Sequence, residues 1–252
     1  MSAPEGPAFV AGGSGGVGSA ICARLASSGR PLAFTYFRGR EKAEALEREL
    51  GRHGGRVLAL GVDLTDAART AAALAEAAEV LGGLESVIYA AGPPLEMNFV
   101  SGISPETWAS TVATDVNGAY NLFHAALPHL RRSRGNLLAL STCALKRPPR
   151  ADVLSAAPKA AIDMLVKCIA KEEGRFGVRA NTVELGFIDA GLAGQHIDAV
   201  WSPELIAGIK GDTPLKRFGE AEEVAAAVAF LSSRQASFIT GQSLATDGGY
   251  QL

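Results

Sequence analysis

The sequence predicts an α/β fold in one domain, built on a doubly wound, seven-stranded parallel sheet. Three observations predict it. Seven short apolar runs alternate with segments whose apolar residues recur every three to four positions, the rhythm of strands separated by helices. A glycine-rich turn directly follows the first run. The 252 residues suit one large core, with no internal repeat, low-complexity stretch or interdomain linker dividing them.

In chain order the strands are Ala8–Ala11, Leu32–Tyr36, Val57–Val62, Ser86–Ala90, Asn136–Leu140, Val178–Val183 and Ser243–Thr246. Helical spacing marks Gly18–Ser28, Lys42–Arg52 and Ala67–Leu81 between the early strands, and Thr107–Arg131 and Ala156–Phe176 later. From Gly186 to Phe218 the rhythm breaks, with Gly191, Gly194, Pro203, Gly208, Gly211 and Pro214. Its place before the last helix predicts a lid of one or two short helices over a cleft; an ordinary surface connection is the alternative.

A net charge of −2 gives no overall pull toward nucleic acid or a membrane surface. Cys22, Cys143 and Cys168 are far apart, without a CxxC or a histidine cluster, so neither a disulfide framework nor a metal site is expected. The N-terminal residues lack a basic, then apolar leader, and no run of 18 uncharged apolar residues occurs. A soluble cytoplasmic protein is the expectation.

The turn Ala11-Gly12-Gly13-Ser14-Gly15-Gly16-Val17-Gly18 leads into a helix read as opening at Ser19. Glycines let backbone N–H groups approach a pyrophosphate, and a helix N-terminus adds unpaired donors and the positive end of its dipole. At the end of the second strand, Thr35-Tyr36-Phe37-Arg38-Gly39-Arg40 holds no carboxylate before Glu41. An acid there would accept from a ribose diol, whereas Arg38 and Arg40 suit a 2′-phosphate. These residues suit a dinucleotide that carries a 2′-phosphate over one that does not; two solvated arginines are the alternative.

Gly12-x-x-x-Gly16-x-Gly18 resembles the cofactor fingerprint of the short-chain dehydrogenase/reductase family. Asp63-Leu64 resembles its adenine-contacting acid, and Tyr89-Ala90-Ala91-Gly92 its Asn-Asn-Ala-Gly segment, of which only the last two residues are kept. Gly186-Phe187-Ile188-Asp189, Phe218-Gly219-Glu220, Ile239-Thr240-Gly241-Gln242 and Asp247-Gly248-Gly249 resemble later landmarks. The likeness spans nearly the whole chain and is closest to the 3-oxoacyl-carrier-protein reductase branch. It implies a Rossmann-type fold, a nicotinamide cofactor bound through Gly12, Ser14, Gly15, Gly16, Val17, Gly18, Asp63, Leu64, Ala91, Gly92, Gly186 and Ile188, and a homotetramer. The interfaces it implies are Thr107–Arg131, Ala156–Phe176 and the C-terminal strand.

The family's chemistry rests on Asn, Ser, Tyr and Lys. By spacing these map onto Asp115, Thr142 (beside Ser141), Ser155 and Lys159, and only the lysine is unchanged. The resemblance gives Lys159 the nicotinamide ribose as well. Asp115 exchanges an amide for a carboxyl: apolar surroundings would make it an acid, and a facing Lys159 would keep it ionised. Ser155 replaces a phenol with a much poorer proton donor, a loss worth roughly 10²–10⁴-fold. Ser155-Ala156-Ala157-Pro158 also reads as a helix N-cap followed by a first-turn proline. Tyr36, Tyr89, Tyr120 and Tyr250 read as packing residues, and His196 in the lid is the one histidine able to reach the cleft.

Three functions follow. One is an NADP(H)-dependent reductase of a carbonyl on an acyl or small-molecule substrate. Another is an enoyl or dienoyl thioester reductase, since relatives of that kind carry Ser-x-x-x-Lys and lack Pro-Gly after the sixth strand, as Leu185-Gly186 does here. The last is a non-redox protein on the same fold. Basic residues cluster at Arg131, Arg132 and Arg134, and at Lys146, Arg147 and Arg150; the resemblance to carrier-protein reductases implies that such a surface docks an acyl carrier protein, and a solvated helix end is the alternative.

Overall fold

A computed structural model describes residues 5–93, 95–190 and 201–252. Its seven strands are β1 Ala8–Ala11, β2 Leu32–Tyr36, β3 Val57–Gly61, β4 Ser86–Tyr89, β5 Asn136–Thr142, β6 Arg179–Leu185 and β7 Ser243–Thr246. They form one sheet in the order β3-β2-β1-β4-β5-β6-β7, every pair parallel. The helices are α1 Gly16–Ala26, α2 Arg40–Gly51, α3 Ala67–Leu81, α4 Pro105–Val112, α5 Gly118–Ser133, α6 Val153–Glu173, α7 Pro203–Asp212 and α8 Ala221–Ser232.

Alternation along the strands divides the core in two. Phe9, Val87, Tyr89 and Leu137 face α3, α5 and α6 through Leu74, Leu122, Phe123 and Ile162. Ala8, Val10, Ile88 and Leu138 face α1, α2 and α8 through Ile21, Leu50, Val224 and Val228. Burial on both faces explains why the central strands are continuous apolar runs. Strand order reverses between β1 and β4, and the crevice beyond their C-terminal ends is where open α/β sheets bind ligands.

Several boundaries differ from expectation. Helix α1 opens at Gly16 rather than Ser19, so the last three residues of the glycine turn are its first turn. The segment expected as one helix from Thr107 to Arg131 starts at Pro105, with the Ser104 hydroxyl accepting from the Thr107 N–H, and is interrupted at Ala113–Asn117 by a π-helical turn. Helix α6 begins at Val153, so Ser155 lies inside it and is not its N-cap; the cap position is Asp152, and Pro158 falls beyond the first turn. Of the expected lid, residues 191–200, with Gly191, Gly194 and His196, lie outside the described residues; α7 occupies part of the remainder. Among the described residues no helix is long and apolar enough to cross a membrane, and no group of side chains has the makings of a metal site.

Candidate active site

The glycine turn is shaped by contacts that exclude side chains. Gly12 has φ +78°, and a Cβ there would come within 2.7 Å of the Ala91 Cα. Gly18 packs directly on the Gly12 carbonyl, so only glycine fits. The Gly12 N–H donates to Thr35 Oγ1 at 3.0 Å, tying the turn to β2. Gly15 caps α1 without a side chain, and the first turn holds no acid. The N–H groups that open α1 therefore face the crevice unclaimed, flanked by half-buried Ser14 and Val17, a geometry suited to a pyrophosphate.

Arg38 and Arg40 are exposed at the end of β2. The Arg38 guanidinium lies 5.3 Å from the Phe37 ring centroid, and Arg40 pairs with Glu44 at 2.6 Å. Asp63 spends Oδ1 on a local turn, accepting from the Thr65 N–H and hydroxyl at 2.9 and 2.7 Å. Leu64 offers its carbonyl to Asn121 at 2.9 Å. Ala91 and Gly92 leave the end of β4 beside β1, and a Cβ on Gly92 would lie 3.9 Å from Lys159 Nζ. Gly186 passes so close to Asp247 that a Cβ would meet its Cα at 2.6 Å, and Ile188 is buried on the α8 side.

Asp115 and Lys159 meet. Lys159 Nζ lies 2.8 Å from Asp115 Oδ1 and 3.5 Å from the Ala91 carbonyl. Asp115 is 2% exposed, and the Tyr89 hydroxyl donates to the same Oδ1 at 2.7 Å. The π-helical turn carries Asp115 inward from between two helices, a frequent setting for functional residues. Of the two environments expected for Asp115, the lysine-facing one is found. Burial, reinforced by the Asp115 charge and hydrogen bond, pushes the Tyr89 phenol well above the usual tyrosine range. Tyr89 is fully buried, with the Lys159 ammonium 5.1 Å from its ring centroid. It packs, as expected, and it also orients the Asp115–Lys159 pair. The sequence signal was available: Tyr89 and Asp115 both stand where the family has asparagine.

Thr142 and Ser155 meet at a second place, lining a cavity of about 210 Å³ with Asp152, Cys143, Phe187 and Trp201. Ser141, on the opposite face of β5, is buried away from it, its Oγ without a hydrogen-bond partner. The Thr142 hydroxyl accepts from the Ala144 N–H at 3.2 Å, leaving its proton available. Burial lifts the Cys143 thiol to about 12, which keeps it protonated and no nucleophile. Burial also lifts the Asp152 carboxyl, from an ordinary 3.8 to about 6. Asp152 escapes sequence reasoning because Ser155 reads as the cap, which leaves Asp152 outside the helix.

Lys159 sits one helical turn beyond Ser155 on α6, so the cavity and the glycine turn adjoin. Residues 11–251 match the family model described as Enoyl-(Acyl carrier protein) reductase. The chain is also 30% identical to a short-chain dehydrogenase/reductase from Serratia marcescens, with a TM-score of 0.91 over 99% of this chain and 100% of that one. The chain belongs to the short-chain dehydrogenase/reductase family. Within it, the chain is similar to the 3-oxoacyl-acyl-carrier-protein reductase of Staphylococcus aureus, at 32% identity over 97% of this chain and 98% of that protein. It is equally similar, at 32% identity, to acetoacetyl-CoA reductase of Synechocystis, with 96% and 94% covered. Kinship with these relatives makes this short-chain dehydrogenase/reductase an oxidoreductase.

The basic residues divide between the two ends of the molecule. Arg131 and Arg132 close α5, a 16-residue helix, roughly 24 Å from the end that follows Asp115. Arg131 is held by Glu173 through two bonds of 2.6 and 2.7 Å. Lys146 and Arg147 lie just beyond β5, near the cavity, and pair with Glu184 and Asp212.

Proposed function

We propose that the protein is an NADP(H)-dependent reductase acting on the carbonyl of an acyl thioester. The observation that carries this reading is the convergence on one crevice of the unclaimed α1 donors and a lysine fixed by Asp115 and Tyr89. A reduced dinucleotide bound there supplies hydride. The N–H groups at the start of α1 hold its pyrophosphate, and Arg38, joined by Arg40 on release from Glu44, takes a 2′-phosphate. Lys159, held in place by Asp115, donates to the nicotinamide ribose. The Thr142 and Ser155 hydroxyls donate to the substrate oxygen as negative charge grows on it, where preorganised donors act most strongly.

The thioester assignment is supported by relatives named for 3-oxoacyl and acetoacetyl thioesters. A carrier protein delivering it would approach Lys146, Arg147 and Arg150, the basic residues on the cavity side. Assembly as a cytoplasmic homotetramer belongs to the same reading, with exposed Tyr120 on α5, Met164 on α6 and Leu244 in β7 as apolar surface for neighbouring copies. A second reading, reduction of an enoyl thioester, is favoured by the absence of a phenol at position 155 and by the description of the matching family model.

Titration with NADPH and NADH, followed by NADPH consumption with acetoacetyl-CoA and crotonyl-CoA, tests both. Tighter binding of NADPH and turnover of acetoacetyl-CoA are expected, and Arg38→Asp should move the preference toward NADH. Turnover of crotonyl-CoA alone would transfer the assignment to the enoyl reading. A folded protein that binds neither dinucleotide would remove both.

A further inference from the structure

We propose that Asp152 is the proton donor to the substrate carbonyl oxygen, taking the role left open by the serine at position 155. The inference rests on the carbonyl-reductase reading. Its geometry is that of the cavity: Asp152 lines it together with Thr142 and Ser155, the two hydroxyls that would hold the substrate oxygen. Asp152 occupies the N-cap position of α6 but does not cap it. Its φ of −110° and ψ of 16° differ from the extended backbone of a capping residue, and its carboxyl makes no capping bond. Ala151, immediately before it, has φ +64°, a left-handed conformation that alanine adopts only at a cost.

The surroundings favour a carboxylic acid over a carboxylate. Burial is the cause of its raised pKa. The ionisable groups that feel its charge are the Cys143 thiol and the Tyr250 phenol, both raised and both neutral near pH 7. Nearby cations are engaged elsewhere: Lys146 with Glu184, Arg147 with Asp212, and Lys159 with Asp115. Arg150 is exposed.

The step balances. The carbonyl carbon gains hydride from the reduced dinucleotide, the C=O π pair moves to oxygen, and that oxygen takes the Asp152 proton. An alcohol, the oxidised dinucleotide and an Asp152 carboxylate result, and water restores the proton. Asp152 and Pro149 also border a second, open apolar groove of about 440 Å³, a route by which solvent would return the proton.

The test compares wild type with Asp152→Asn, which keeps shape and loses the acid. With acetoacetyl-CoA and NADPH, wild-type kcat/KM should be flat below about pH 6 and fall tenfold per unit above it. Asp152→Asn should lose roughly 10²–10⁴-fold in kcat and that falling limb, with NADPH affinity unchanged. Independently of turnover, wild-type-minus-variant infrared spectra should contain a protonated-carboxyl band that disappears near pH 6. A variant with the wild-type rate and profile, or a carboxyl already ionised at pH 4.5, overturns the assignment. Failure of the reductase reading is distinct: wild type then consumes no NADPH, while the infrared titration still decides whether Asp152 keeps its proton up to about pH 6.

Discussion

At position 115 a carboxylate adds what an amide lacks, a charge: it meets the Lys159 ammonium at 2.8 Å while the same oxygen accepts from the Tyr89 hydroxyl. Both partners are almost fully enclosed, with side-chain exposures of 14% for the lysine and 2% for the aspartate. Removing one member of such a pair leaves the other charge stranded. Asp115→Ala should therefore cost about 3–5 kcal/mol in urea denaturation and weaken NADPH binding through a released Lys159. Asp115→Asn, which keeps an acceptor for both donors, should lose substantially less. The same pairing would lower the Tyr89 pKa once the carboxylate is gone, measurable as phenolate absorbance appearing at lower pH.

For the element α6, the relevant fact is that it begins two residues before Ser155. Ser155→Ala should leave unfolding within about 0.5 kcal/mol of wild type, where loss of a true N-cap would cost roughly 1 kcal/mol. Any change in turnover would then report on the substrate. Asp152 marks the helix start differently. Its folded-state pKa, about 6, exceeds the ordinary 3.8, so the stability it contributes is complete below about pH 4 and is lost as pH rises through 6. Asp152→Asn should flatten stability against pH in that window and gain on the order of 2 kcal/mol over wild type at pH 7.5, as urea midpoints would report.

These elements also mark how far the sequence is readable. Strands β1 and β2 fall on the expected residues because a run of buried apolar side chains has few alternatives, and β7 does so as well although its side chains are exposed or half-buried. Strands β5 and β6 run two residues further, into Ser141-Thr142 and Glu184-Leu185, because parallel pairing holds polar residues that apolar patterning rejects. The start of α6 was misread because Ser-Ala-Ala-Pro satisfies the rules of a cap, and the break between α4 and α5 because a π-helical turn has no compositional signature. Asp115 and Lys159 were legible by spacing. Their contact with Tyr89, and the cavity that gathers Thr142, Ser155 and Asp152, depend on tertiary packing.

Across the whole molecule, parallel strands give the sheet two unlike edges. The C-terminal edge holds the glycine turn, the buried triad of Tyr89, Asp115 and Lys159, and the cavity. The N-terminal edge is closed by Arg30, 4% exposed, which donates to the Gly6 carbonyl and to the Ser86 and Ser232 hydroxyls at 2.6, 2.6 and 3.1 Å. Arg30→Ala strands three acceptors at the far end and should cost about 2–4 kcal/mol in urea denaturation. NADPH titration of the folded variant should match wild type, separating an edge that holds the fold from one that performs chemistry.

The π-helical turn between α4 and α5 contains one residue more than regular α-helix needs there. Chain length, then, and not only side-chain identity, aims Asp115. Deleting a single residue from Ala113–Asn117 would let the turn relax into ordinary helix and swing one flanking helix by about 100° relative to the other. Every residue named in the triad could survive in the sequence while the carboxylate no longer met the lysine. In alignments of relatives, a one-residue gap at this point would carry as much meaning as a substitution at Asp115 itself.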